Sequence, residues 1–237
     1  MEITIACLYP DVLNLYGDKG NIVTLAYRLN KRGIEAKIKE YYNDDKIDFK
    51  NTDILYIGGG SDKDLEDICQ RLKEQKDELK SYIDQGGCVL AVCSGYQMLG
   101  TTFEFEDKTL DGLGIIDIYT KHCKKMTGDI IIESDILDTK IVGFENRSAV
   151  THTGDYTPLG KVVYSTHNSE GLTEGVVYKN IIGTYIHGPL LPKNPKLTDY
   201  IIKCALTKKY SEDIELLHFD DEFETKANEY IVNKYIK

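Results

Sequence analysis

The chain has 237 residues, 41% hydrophobic and 29% charged, and its 29 basic against 39 acidic residues leave a formal charge of −10. That length suffices for one sizeable core and the composition excludes wholesale disorder. The acidic balance argues against a nucleic-acid partner, which would select a basic surplus, and no apolar stretch approaches the ~18 residues of a membrane span.

Nothing at the N-terminus resembles a signal peptide, because alternating Ile3 and Ile5 open the chain directly. The expected location is therefore cytoplasmic. The run 3–7 predicts a first strand. From Asn21, Ile22, Leu25, Ala26 and Leu29 recur at helical spacing, and Gly33 follows as a stop. Residues 35–41 alternate Ala36, Ile38 and Tyr41 with charges, which predicts a half-buried strand. Ile54 to Ile57 form a continuous apolar strand that runs into Gly58-Gly59-Gly60. Leu65, Ile68, Cys69, Leu72, Leu79 and Ile83 mark one face of a long helix ending before Gly86-Gly87. Cys88 to Cys93 is another apolar run, with a short helix from Ser94. Continuous apolar strands separated by amphipathic helices indicate an α/β fold, a mostly parallel sheet covered by helices on both faces.

The second half is richer in short strands, expected at 114–119, 129–134, 141–144, 161–164 and 181–186. Asn194-Pro195 reads as a helix cap followed by a first-turn proline, and Leu197, Tyr200, Ile201 and Cys204 continue that helix. Phe223, Ala227, Tyr230 and Ile231 mark a terminal one. No repeat or linker divides the chain, so one domain is expected over 1–237, with the helical region 195–237 packed on it.

Cys93 carries the strongest chemical signal. It ends an apolar strand, and small residues stand two before it (Ala91) and two after it (Gly95). A strand turning sharply into a helix exposes its elbow residue and requires small neighbours. Amides at the start of the following helix favour a thiolate. A buried packing cysteine is the alternative, and it fits Cys88, which has no such frame. The six cysteines are scattered without a C-x-x-C pair, which argues against disulfides and against a zinc site. A thiol nucleophile needs a base. Of the five histidines, His187 ends the apolar run Ile181–Ile186 and is followed at once by Gly188-Pro189. A strand-end His meets a strand-end Cys across the top of a parallel sheet. The three glycines 58–60 lack the pattern of a phosphate loop; they suit a backbone amide that must approach a developing oxyanion closely.

These residues resemble a family. The strand ending in Gly-Gly-Gly, the elbow Cys93-Ser94-Gly95-Tyr96-Gln97 and the late Gly183-Thr184-Tyr185-Ile186-His187-Gly188-Pro189 are similar to the class I (triad) glutamine amidotransferases, in the cobyric-acid-synthase-like branch. Leu13-Asn14-Leu15-Tyr16-Gly17-Asp18, Thr127-Gly128-Asp129-Ile130, Val142 to Asn146 and Leu190 to Asn194 resemble its narrower group of glutaminase subunits of lipid II isoglutaminyl synthases. The resemblance implies a flavodoxin-like fold and L-glutamine as substrate. Cys93 would be the nucleophile and His187 the base, with the Gly59 and Ser94 amides as oxyanion hole. Gln97, four residues past the elbow, would contact substrate. No cofactor is implied on this chain. The implied partner is a Mur-ligase-like synthetase subunit in a heterodimer, which would hold ATP and magnesium and amidate the D-glutamate of lipid II.

Three departures from that family bear on the site. Ala91 replaces the usual Gly before the elbow. Lys125 and Met126 stand before Thr127, where the family has the Arg that holds the glutamine carboxylate, so Lys125 is the first candidate for that anchor. Arg147 ends a Phe144-Glu145-Asn146-Arg147 run where the family has His; it could supply the planar fork that Lys125 lacks, but a solvated loop arginine is the preferred reading. The family's orienting Glu two residues past the His is also missing, because Pro189 stands there. Glu145 or Asp155 remain internal alternatives, while the resemblance suggests an Asp from the synthetase and hence weak glutaminase activity of the free chain.

Overall fold

The structure is a computed structural model and describes residues 1–15, 17–167, 169 and 171–236; Tyr16 of the Leu-Asn-Leu-Tyr stretch lies outside the described residues. The first half alternates strand and helix: β1 (Glu2–Leu8), α1 (Gly20–Lys31), β2 (Glu35–Tyr41), β3 (Ile54–Ile57), α2 (Asp62–Lys73), α3 (Lys76–Asp84), β4 (Cys88–Val92) and α4 (Ser94–Met98). Short strands β5 (Thr102–Glu104) and β6 (Thr109–Asp111) precede a long hairpin of β7 (Tyr119–Ser134) and β8 (Thr139–His152). Then come β9 (Gly160–Ser165), β10 (Thr173–Glu174), β11 (Val176–Tyr178), β12 (Ile181–Thr184), β13 (Ile186–His187), α5 (Pro195–Tyr210) and α6 (Glu222–Tyr235).

The central sheet has the order β11-β12-β4-β3-β1-β2, parallel throughout except for the antiparallel edge strand β11. Its apolar runs are continuous because both faces are covered. On β1, Ile3, Ile5 and Cys7 join one core, which includes Leu25 and Leu29 of α1 and Ile202 of α5. Ala6 and Leu8 join the other, with Leu65 and Leu72 of α2. Each such fully buried Ile or Leu contributes about 1.5–3 kcal/mol relative to exposure. The remaining strands form a second sheet, in which β7 pairs with β5, β8 and β9, and β13 pairs with β8.

Several elements differ from the sequence expectation. The long helix over 65–83 is two helices. Gln75 leaves helical geometry (φ −115°, ψ 20°), and its side-chain Oε1 accepts the Ile47 amide at 2.8 Å. Residues 114–118 form no strand. Their backbone wraps the end of α4, where Leu99 O accepts the amides of Ile115 (2.9 Å) and Ile116 (3.0 Å). β7 and β8 extend well beyond 129–134 and 141–144, because the segment around Lys121, Lys124 and Lys125 lacks the alternation that reveals a strand. The 181–186 run breaks at Tyr185, where the chain leaves the central sheet for the second one. Asn194 does precede α5, but without a capping hydrogen bond. Its side chain instead accepts from Val142 N (2.9 Å) and donates to Val142 O (2.8 Å), tying α5 to β8. Phe223 and Tyr230 of α6 are 82% and 70% exposed; the helix is held by polar contacts such as Asn228 Nδ2 to Lys193 O at 3.0 Å. Among the described residues no helix is long and apolar enough to cross a membrane.

Candidate active site

Cys93 stands at the carboxyl end of β4, between the Gly58–Gly60 loop after β3 and Thr184 at the end of β12. Its backbone is left-handed (φ 53°, ψ −111°), a strained conformation for a residue with a side chain. The strain is held from both sides: Cys93 N donates to Thr184 O (2.8 Å), and Gly95 N donates to Gly58 O (3.1 Å). Gly95 must lack a side chain, because a Cβ there would collide with the Ile57 carbonyl. The helix that follows has only five residues, so the expected aid from its dipole reduces to its first amides.

The amides of Gly59 and Ser94 lie on two loops that lock together. Gly60 N donates to Ser94 Oγ (3.2 Å), and that hydroxyl donates to Gly60 O (2.9 Å). Among the described residues no group accepts either the Gly59 or the Ser94 amide. A Cβ at Gly59 would sit 3.0 Å from Cys93 Cβ and 3.3 Å from His187 Cε1. Gly59→Ala would therefore push Cys93 or His187 aside by a few tenths of an ångström and is expected to lower kcat by about 10-fold, less than the ~10²-fold cost of a full 1 Å misplacement of reacting groups. Steady-state kinetics check this, and an unaltered kcat would mean that the loop yields freely.

His187 is fully buried on β13. It donates through Nδ1 to Asp18 Oδ2 at 2.7 Å, and the far side of its ring stands beside Cys93: a Cβ built on Gly59 would lie 3.3 Å from His187 Cε1 and 3.6 Å from Cys93 Sγ. Burial pulls the imidazole pKa down, but the Asp18 carboxylate and the neighbouring Cys93 outweigh it and lift the value to about 10. Asp18 is not among the carboxylates expected here from the sequence, which are Glu145, Asp155 or an Asp of the synthetase. Pro189 occupies the His+2 position and packs on Gly20, where a Cβ would lie 2.5 Å from Pro189 Cγ. That close approach brings the start of α1 beneath the imidazole, and Asp18 O is fixed there by the Tyr56 hydroxyl (3.1 Å). The other candidates stand elsewhere. Glu145 accepts from Ser165 Oγ (2.8 Å) and Arg147 Nε (3.0 Å), and Asp155 is exposed in a turn.

A cleft of about 310 Å³ opens in front of Cys93, and Gln97, Lys125 and Arg147 all line it. Gln97 projects half-buried from α4, whereas Lys125 is exposed at its rim. Arg147 is not a solvated loop arginine: it lies on β8 with its side chain only 11% exposed and paired with Glu145. The other five thiols are unsuited to attack. Burial pushes Cys7 up to about 12 and raises Cys69, Cys88, Cys123 and Cys204.

Residues 4–195 match the CobB/CobQ-like glutamine amidotransferase domain. The chain is 42% identical over 236 residues to the lipid II isoglutaminyl synthase (glutamine-hydrolyzing) subunit GatD of Staphylococcus aureus, covering 98% of this chain and 96% of that one. It is 38% identical to the subunit of the same name from Streptococcus pneumoniae, over 93% of this chain and 86% of that one. A crystal structure of a glutamine amidotransferase shares the fold at a TM-score of 0.60 and 18% identity, covering 84% of this chain and 98% of that one.

Proposed function

The chain belongs to the CobB/CobQ-like glutamine amidotransferase family, and from that premise we propose that it is the glutaminase subunit of a lipid II isoglutaminyl synthase, with Cys93, His187 and Asp18 as its catalytic triad. The observation that carries this reading is the buried imidazole hydrogen-bonded to Asp18 on one side and flanked by the Cys93 thiol at the Gly59 loop on the other.

In this mechanism the Cys93 thiolate attacks Cδ of the glutamine side chain. The carbonyl oxygen becomes an oxyanion facing the Gly59 and Ser94 amides. Imidazolium His187 donates its proton to the amide nitrogen as the C–N bond breaks, releasing ammonia and leaving a glutamyl thioester. The now neutral imidazole takes a proton from water as that water attacks the thioester. Glutamate departs, and thiolate and imidazolium are restored. Asp18 keeps the ring in one orientation and balances its charge throughout, the role of the acid in a Ser-His-Asp triad. Gln97, half-buried at the floor of the cleft, would contact the bound substrate.

The ammonia would pass to a Mur-ligase-like, ATP- and magnesium-dependent synthetase subunit in a heterodimer, which amidates the D-glutamate of lipid II to D-isoglutamine. The whole chain, 1–237, would act as one amidotransferase domain in the cytoplasm. Support for this assignment is the near full-length identity to two subunits so named. An electrophilic glutamine analogue such as 6-diazo-5-oxo-L-norleucine should modify the chain once, at Cys93, with protection by L-glutamine. Peptide mapping that finds the label on Cys7 or Cys88, or no label at all, would overturn the reading.

A further inference from the structure

A free amino acid differs from the same residue inside a peptide by its charged α-carboxylate, and a site that selects the free form must present a cation to it. Among the described residues lining the cleft, Lys125 and Arg147 carry permanent positive charge. They lie on facing strands but are held very differently. Lys125 falls in the irregular stretch of β7, between His122 and Met126, where the register against β8 shifts. It is exposed and, among the described residues, has no hydrogen-bond partner. Arg147 is directly opposite Met126 in the ladder. Its Nε donates to Glu145 Oε2 at 3.0 Å, its Nη1 donates to Ala149 O at 2.6 Å, and its guanidinium carbon lies 4.9 Å from the centre of the Tyr185 ring. Three contacts therefore fix the plane of the guanidinium, while Nη2 has no partner among the described residues and the group borders the cleft. The ring beneath it belongs to the residue after Thr184, whose carbonyl accepts the Cys93 amide. The guanidinium is thus held in a fixed position relative to the nucleophile.

Resting on the glutaminase reading, we infer that Arg147, rather than Lys125, binds the α-carboxylate of glutamine and restricts the site to the free amino acid. A guanidinium already held in place loses little freedom on binding, and it presents a planar edge that an ammonium lacks. Glu145 acts as a positioning residue that keeps Arg147 aimed at the cleft. Met126, across the ladder, supplies no charge, so the cation reaches this part of the cleft from β8 instead of β7.

The test compares kcat and KM for L-glutamine and for L-glutamine α-methyl ester, whose α-carboxyl is neutral. Because removing Arg147 alone would strand the buried Glu145 carboxylate, the informative variants are Arg147→Lys and the double variant Glu145→Gln/Arg147→Gln. The double variant should raise KM for glutamine about 10- to 100-fold, the range of one charge-assisted hydrogen bond, with kcat little changed. Its KM for the ester should stay near the wild-type value, so the preference for glutamine over ester collapses. Arg147→Lys should fold normally and still lose part of that preference, since it keeps the charge but not the fork. Lys125→Gln should raise KM less than either. Undiminished preference in both Arg147 variants, or a collapse seen only in Lys125→Gln, would overturn the assignment. Wild-type chain that releases ammonia from neither substrate would instead remove the glutaminase reading, and the anchor with it.

Discussion

Asp18→Asn is expected to lower kcat by about 10²–10⁴-fold with little change in KM, bounded above by the loss seen when the acid of a Ser triad is neutralised. A thiol needs less help than a hydroxyl, so the lower part of that range is the closer expectation. The change is also expected in the pH profile. In the wild type, burial lowers the His187 pKa, but Asp18 and Cys93 together raise it to about 10. The imidazolium that protonates the departing nitrogen is therefore lost only as the pH passes about 10. Without the carboxylate, burial loses its main opponent, and the alkaline limb of kcat moves to lower pH. Stability follows the same sign. A pKa raised from 6.5 to about 10 contributes stability that is fully present below pH 6.5 and gone once the pH has risen through about 10. Denaturant midpoints should accordingly fall between pH 7 and pH 10 in the wild type and vary less in Asp18→Asn. A variant with wild-type kcat and an unmoved alkaline limb would show that Asp18 does not orient the imidazole, and a carboxylate from the synthetase would regain its place.

Cys93→Ser is expected to cost about 10⁴-fold in kcat or more, on the scale of nucleophile deletions in hydrolases, while leaving the fold intact. The volume change is small, and the backbone is held by the Thr184 and Gly58 carbonyls whichever atom stands at γ. The reason serine fails here is electrostatic. A serine hydroxyl must lose its proton to a neutral base, whereas Asp18 holds His187 protonated at neutral pH. Thermal melts should match the wild type to within a few degrees, and ammonia release should be absent. Appreciable turnover by a well-folded Cys93→Ser would mean that the nucleophile is elsewhere.

The sequence makes legible what is local. The apolar strands of the central sheet, the Ala91–Cys93–Gly95 frame and the strand-end position of His187 all declare themselves within a few residues, because each depends on burial or sterics inside one element. Asp18 does not. It lies 169 positions from His187, in a loop with no periodicity, and the condition that brings it there is the packing of Pro189 on Gly20. The one available signal is the coincidence of a small residue after Gly17-Asp18 with a proline where a carboxylate usually stands. Arg147 is hidden for a related reason. Its loop-like appearance comes from the polar half of the β7–β8 hairpin, whose strands lack alternation because one side borders the cleft. The break at Gln75 and the non-strand path of 114–118 likewise depend on partners, Ile47 and Leu99, that are distant or on another element.

We propose that Cys93, His187 and Asp18 form a complete hydrolytic site within this one chain. The most direct test is ammonia production from L-glutamine by the purified chain alone, beside Cys93→Ser and beside the chain with its synthetase. Sustained turnover is expected of the free wild-type chain, abolished by Cys93→Ser, with the synthetase redirecting the ammonia rather than being required for its release. A free chain that is silent until the synthetase is added would contradict it, because the site would then lack a part that only the partner supplies.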